Sequence, residues 1–362
     1  MELDIFDGFY KDKVVLVTGH TGFKGSWLSL WLQELGAKVI GYSLDPENNE
    51  DNFNVSRLSS KIVDIRGDIR DFKKLDDVFN QYKPEMVFHL AAQPLVRESY
   101  NNPRETYDIN VMGTLNVLEA IKNSNSVKVG VMITTDKCYE NKERIWGYRE
   151  YDPMGGYDPY SSSKGCCELL ISSYRNSFFN LEEYDRHNKA IASVRAGNVV
   201  GGGDFAKDRI IPDCIRSIRN NEKISVRSPE AIRPWQHVLE PLYGYMLLGR
   251  RLYEDGKLYS EGWNFGPSDE LQVRVSEIVN LIIRNFGEGS WEDKSEKKGV
   301  HEANLLTLDC TKARIRLGWS SIMSIDETIE YTAKWYRDFK EDMYMFNVNQ
   351  ISDYCKLRRG VV

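Results

Sequence analysis

The sequence predicts an α/β fold, a doubly wound parallel sheet followed by a smaller C-terminal α/β lobe. Short apolar runs bounded by charged or turn residues recur through the first two hundred residues, as strands buried on both faces do. Segments with helical spacing separate them, and this alternation builds a parallel sheet. The first run also leads into three glycines and a helix, a strand–turn–helix unit. At 362 residues the chain can bury such a core and still supply a second lobe.

Val14-Val15-Leu16-Val17 is the first strand, ending at Thr18. Gly19, Gly22 and Gly25 follow, with Phe23 among them, and Ser26 to Leu35 has helical spacing closed by Gly36. Glycines there permit a tight turn and close backbone approach, so that a pyrophosphate meets the positive end of the helix. Lys38 to Tyr42 is the second strand. An acid that binds the adenosine ribose of NAD is expected roughly 20 residues after the glycines. Ser43 stands at that strand end with Asp45 two residues on, which leaves NAD and NADP both open.

Further strands are expected at Lys61 to Val63, Met86 to Leu90, Val127 to Thr134 and Ile191 to Arg195. A helix opens near Pro103 and runs through Asn110 to Ile121. These elements place a dinucleotide-binding domain at residues 1–200, to which a segment near 236–265 returns. Residues 201–362 form the second lobe, over the carboxyl edge of the sheet where ligands of such folds lie. Within it Arg209-Ile210-Ile211-Pro212 opens a helix, and the residues from Lys356 onward read as a loose tail.

Asp158-Pro159-Tyr160-Ser161-Ser162-Ser163-Lys164 leads into another helical segment, Gly165 to Tyr174. Residues four apart share a helix face, so the Tyr160 phenol and the Lys164 ammonium can meet over one substrate. A free tyrosine ionises only near pH ~10, and a neighbouring cation brings the phenolate closer to neutral pH. By itself the spacing also describes two surface residues; the glycine turn upstream gives it weight.

A net charge of -6 with 28% charged residues provides no general field for nucleic acid. No apolar run approaches the ~18 residues of a membrane helix, and the N-terminus carries acids where a signal peptide carries bases. The six cysteines are scattered apart from Cys166-Cys167, with no Cys-x-x-Cys, so neither a disulfide framework nor a metal site is expected. A cytoplasmic protein fits these features.

Four motifs, in this order and spacing, make the chain similar to the extended short-chain dehydrogenase/reductase family, with its Rossmann core. They are Thr18-Gly19-His20-Thr21-Gly22-Phe23-Lys24-Gly25, Leu90-Ala91-Ala92-Gln93, Thr134-Thr135-Asp136-Lys137 and Tyr160-Ser161-Ser162-Ser163-Lys164. Within that family the chain resembles the nucleotide-sugar 4,6-dehydratases, through Asp136-Lys137-Cys138-Tyr139-Glu140-Asn141 and Asp152 to Tyr160. Arg233-Pro234-Trp235-Gln236-His237-Val238 and His301-Glu302-Ala303 extend the resemblance into the second lobe.

The resemblance implies NAD as cofactor and a nucleotide sugar as substrate. It implies a redox-neutral lyase of deoxysugar (O-antigen) biosynthesis, working as a homodimer or homotetramer. Tyr160 would take the proton from the carbon-4 hydroxyl, Lys164 would lower the tyrosine pKa and hold the nicotinamide ribose, and Thr135 would share the bond to the sugar oxygen. Asp136 would then be the acid and Lys137 the base of water elimination across carbons 5 and 6. Related dehydratases carry glutamate where Lys137 stands, and lysine there resembles the enzymes acting on CDP-glucose. A loop ion pair is the alternative for Asp136-Lys137. Gly19, Gly22, Phe23, Gly25, Asp45, Asp68, Ile69 and Ala91 would hold the cofactor, and Asn110 would shape the site. Gln93, Asn198, Arg209, Arg233 and His301 would hold the substrate, with Glu302 beside the nucleotide. His20, His89 and His237 read as packing residues. A 4-epimerase or decarboxylase on the same fold, and a non-catalytic NAD-sensing module, are the competing readings.

Overall fold

Seven parallel strands form the central sheet: Val14–Thr18 (β1), Lys38–Ser43 (β2), Val63–Arg66 (β3), Met86–His89 (β4), Val129–Ile133 (β5), Ala190–Ala196 (β6) and Gly262–Phe265 (β7). Their order is β3-β2-β1-β4-β5-β6-β7, so the direction of winding reverses between β1 and β4. Ligands of doubly wound sheets bind at that reversal, beyond the carboxyl ends of the strands. The computed structural model describes residues 3–267, 273–295 and 305–361. Among them no helix is long and apolar enough to cross a membrane.

Near-continuous apolar runs make these strands because both faces are covered. β1, β4, β5 and β6 are buried almost throughout, with a large cluster around Trp27, Trp31, Phe88 and Trp263 on one face. A second cluster on the other face gathers Leu16, Tyr42, Val87, Leu118 and Ile171. The long helices of the first face are Phe23–Glu34 (α1) and, later in the chain, Leu239–Glu254. On the second face lies a helix made of Pro103–Tyr107, a π-turn Asp108–Met112 and Gly113–Asn123 (α2), beside Pro159–Ser177 (α3).

β3 departs from expectation. Residues 61 and 62 belong to a turn, with both amides donating to Leu58 O (2.9 and 3.2 Å), and the strand lies at Val63–Arg66. Pairing with β2, Ile40↔Val63 through Ser43↔Arg66, sets its register. As an edge strand it is only half-buried and tolerates Asp64 and Arg66, which an apolar-run reading passes over.

The expected loose tail is a helix, Tyr344–Val361 (α4), packed on α1. Arg358 Nη2 lies 2.7 Å from Glu240 Oε2, and both side chains are almost inaccessible. Tyr354 Oη donates to the same oxygen (2.9 Å), while the amides of Ile322 and Met323 donate to Glu240 Oε1 at 2.8 and 2.7 Å. Within the segment read as a loose tail, Arg358 is thus the partner of a buried acid. Removing one partner of such a pair leaves an uncompensated charge, so Arg358→Met should destabilise the protein by about 3–5 kcal/mol in urea unfolding. Adding Glu240→Gln should recover most of that loss; an unchanged midpoint in the single variant would contradict this account.

Candidate active site

Above the β1/β4 reversal lies a cavity of about 910 Å³ that reaches from Phe23 and Lys24 to Arg233 and Leu306 and is lined by Thr135, Asp136, Lys137 and Tyr160. Its floor begins at the glycine turn. Gly19 has φ +75°, and a Cβ there would stand 2.7 Å from Ala91 N. A Cβ on Gly25 would stand 2.0 Å from Gly19 O, so helix and turn close only without side chains. Gly22 offers α1 no side-chain cap and its first turn holds no acid, leaving a positive helix end for an anion. These residues fit the pyrophosphate of a dinucleotide.

At the adenosine end, Thr21 Oγ1 and Ser43 Oγ are hydrogen-bonded at 2.9 Å. Asp45 is largely exposed and 3.5 Å from Arg66 Nε. Asp68 is engaged by Arg70 (Nη2 to Oδ2 2.6 Å), which holds its carboxyl below the usual range, and Ile69 packs against Gly113. Arg66 was not expected here; it lies on the edge strand whose register the sequence left misplaced.

α3 begins at Pro159, with Asp158 as its cap: Ser161 N donates to Asp158 Oδ1 at 2.9 Å. This fixes Tyr160 in the first turn and Lys164 one turn later, both nearly inaccessible. Burial pushes the Tyr160 phenol up, more than the Thr135 hydroxyl and the Arg209 guanidinium pull it down. Arg209 is a cation that opposes the burial of the phenol, and Lys164 Nζ donates to Ile133 O at 3.3 Å.

The turn Asp136–Cys138 follows β5. Thr135 Oγ1 donates to Asp136 Oδ1 (2.9 Å) and accepts from Lys137 N (3.4 Å). Lys137 Nζ is 3.6 Å from Asp136 Oδ1. The other carboxylate oxygen, Asp136 Oδ2, is buried without a protein partner. A lone buried acceptor costs stability unless a ligand meets it, and this one belongs to a cavity-lining residue.

Asn198, Arg209 and Arg233 line the cavity as expected, and Asn198 Oδ1 is a second buried acceptor without a partner. Arg209 Nη1 is 2.7 Å from Asp204 Oδ2. Gln93 does not line it: its amide nitrogen donates to Leu95 O (3.1 Å) and Thr106 Oγ1 (3.0 Å), and Leu95 N donates back to Oε1. It shapes the segment Pro94–Arg97, where a short helix begins and which does line the cavity. Asn110 is buried in the π-turn, donating to Gln93 O (3.1 Å) and Ser163 Oγ (2.9 Å). A solvated helix face is thereby excluded for it. His301 and Glu302 lie outside the described residues.

His20, His89 and His237 are buried among neighbours and hydrogen-bonded or packed there. His89 bonds Thr18 and Thr114 and, like His237, is pushed down to about 3 by burial. His20 Nε2 is 2.8 Å from Asp64 Oδ1. Lys24 escaped the sequence reading of roles, although a lysine inside a glycine turn was a signal. Among the described residues no cluster of His, Cys, Asp and Glu could hold a metal ion.

The profile of the GDP-mannose 4,6 dehydratase family matches residues 16–332. The chain belongs to this family. It is 53% identical over 349 residues to the CDP-glucose 4,6-dehydratase of Salmonella typhimurium, covering 96% of this chain and 97% of that one. Among solved structures, an epimerase of Methanothermobacter thermautotrophicus superposes with a TM-score of 0.81 at 25% identity, over 95% of this chain and 97% of that chain. The dTDP-glucose 4,6-dehydratase of Bacillus anthracis, solved in complex with NAD, has the same fold, with a TM-score of 0.74 at 21% identity over 91% and 98% of the two chains.

Burial, reinforced by Lys164 and Arg209, brings the Lys24 amine down to about 7. A lysine lowered in this way is neutral above that pH and nucleophilic there, whereas exposed lysines stay charged. Competitive acetylation mapped by mass spectrometry should therefore give Lys24 a labelling midpoint of about 7. An ordinary lysine midpoint at this position would contradict the electrostatic picture.

Proposed function

We propose that this dehydratase acts on CDP-glucose and forms CDP-4-keto-6-deoxyglucose, using NAD that is regenerated in each turnover. The observation that carries the reading is the buried, unpartnered Asp136 Oδ2 in a turn that lines the same cavity as Tyr160. An epimerase or a simple dehydrogenase has no use for that acid beside its phenol. The 53% identity to a CDP-glucose 4,6-dehydratase favours the cytidine nucleotide.

Gly19, Gly22, Phe23, Gly25 and Ala91 would hold NAD at its pyrophosphate, Asp45, Asp68 and Ile69 at its adenosine, and Tyr160 and Lys164 at its nicotinamide ribose. When bound, NAD accepts hydride from carbon 4 of the sugar and supplies it to carbon 6. Tyr160 takes the proton of the carbon-4 hydroxyl, with Arg209 opposing the burial that disfavours its phenolate. Thr135 orients the same sugar oxygen. Asn198, Arg209 and Arg233 meet the substrate diphosphate, the guanidinium forks matching its oxygens.

The carbon-4 ketone acidifies the proton on carbon 5. Lys137, as the free amine, removes it, while Asp136, as the acid, protonates the hydroxyl leaving carbon 6, and one water is lost. As carbon 6 receives hydride, Lys137 returns its proton to carbon 5. The proton that Tyr160 took from the carbon-4 hydroxyl passes to Asp136, so that each group regains its starting form.

In this reading residues 1–200 with the segment near 236–265 form the NAD-binding unit, and β7, at 262–265, pairs with β6 accordingly. The remainder forms the substrate lobe. The enzyme works in the cytoplasm as a homodimer or homotetramer, for which exposed Met112 on α2 and Leu169 on α3 provide apolar contacts.

Incubation with CDP-, dTDP-, UDP- and GDP-glucose and catalytic NAD should give a product lighter by one water from CDP-glucose, without net NADH. Stoichiometric NADH, or a 4-epimer alone, would overturn the reading. Lys137→Met should still oxidise carbon 4 but lose exchange of the carbon-5 proton with deuterated solvent; undiminished exchange would remove Lys137 from the base role.

A further inference from the structure

Glu168 and Arg195 lie outside the cavity lining, yet they connect the two halves of its chemistry. Glu168 follows Tyr160 and Lys164 at successive i+4 positions, on the same face of α3. It is 3% exposed and accepts from Ser193 Oγ (2.7 Å), Arg195 Nη2 (2.7 Å) and Thr134 Oγ1. Thr134 immediately precedes Thr135, Asp136 and Lys137. Arg195 Nη1 donates to Tyr139 Oη (2.7 Å), just beyond the turn, and to Glu150 O (3.1 Å). Tyr139 Oη in turn donates to Asn264 Oδ1 on β7 at 2.7 Å. The turn bearing the acid and the base is thus gripped at both ends by one buried ion pair.

We infer that Glu168 and Arg195 are positioning residues that hold the Thr135–Lys137 turn in register with Tyr160 and Lys164, and so couple oxidation at carbon 4 to loss of water. The inference rests on the dehydratase reading above. Buried ion pairs are poor sources of net stability, since desolvation offsets their attraction. This pair even leaves Arg195 Nε buried without a partner. What it does supply is geometry. The guanidinium spans two anchors, and the carboxylate joins the helix to two strands. Arg195 and the two hydroxyls hold the carboxyl down at about 2 against the effect of burial, so the grip persists at any working pH.

Tyr160 and Lys164 ride on α3 itself and keep their mutual spacing if the grip is lost. Oxidation then loses only the orienting bond of Thr135, while elimination loses both of its proton-transfer groups. Asp136 and Lys137 reach the substrate only through the turn. Elimination is therefore the step that loosening should impair, and misplacement by about 1 Å is enough to cost about 10²-fold. The test is a single turnover of NAD-loaded enzyme with CDP-glucose, following reduced nicotinamide, solvent deuterium at carbon 5 and product.

In Glu168→Gln the first oxidation should fall by no more than about threefold and elimination by about 10²-fold, so that reduced nicotinamide accumulates. Thr134→Val, which removes only the hydroxyl facing Glu168, should show the same imbalance, and Thr134→Ser should restore coupling. If Glu168→Gln does not fold, the Thr134 pair decides the question. Equal losses in both steps, or an unchanged partition in Thr134→Val, would overturn the inference by reducing the pair to a general core contact. Wild-type enzyme that leaves CDP-glucose intact would instead overturn the functional reading.

Discussion

The buried pairing of Glu168 with Arg195 is the constraint around which this active site is arranged. It ties a helix on one face of the sheet to the ends of β5 and β6 and, through Tyr139 and Asn264, to β7. Lys164 adds a bond to Ile133 O, one residue before Thr134, so that helix and strand end are joined at two successive residues. A charge enclosed in this way tolerates few alternative arrangements, because any displacement leaves a carboxylate or a guanidinium unpaired in an apolar interior. The glycine turn performs the complementary task on the other side. Its backbone contacts admit no side chain and bring the positive end of α1 to the sheet edge.

The same burial that assembles the site tunes its groups in opposite directions. Phenols rise, amines and imidazoles fall, and the outcome at each position depends on which neighbour opposes desolvation. Tyr160 is pushed up, with Arg209 and Thr135 opposing; Lys24 is drawn to about 7; His89 remains neutral between two threonines. Glu168 is the exception that stays ionised, because Arg195, Thr134 and Ser193 outweigh the loss of water. The site thus separates a permanently charged scaffold from groups that exchange protons.

Much of the fold was legible in the sequence because its signals are local. Apolar runs, glycine spacing and an i, i+4 pair each depend on residues adjacent in the chain, and β1, β2, β4, β5 and β6 lie close to where those patterns place them. β3 was misplaced because an edge strand takes its register from a neighbour and can be half polar. The C-terminal helix was misread because the partner that buries Arg358 lies 118 residues away. Within the site, Tyr160, Asn198, Arg209 and Arg233, singled out by spacing or by the family resemblance, line the cavity, whereas Gln93 turns onto its own loop.

By itself the sequence determined the strand–turn–helix order, the sheet class and the types of chemical group available: a phenol, an ammonium, and an acid beside a lysine. These follow from short-range sterics and periodicity, which any stretch of chain carries with it. Only the tertiary structure decided that Arg209 comes close enough to act on Tyr160, which oxygen of Asp136 is left without a partner, and which charges are scaffold. Those outcomes depend on distance and dielectric between groups far apart in the chain, and both are set only when the core closes around them.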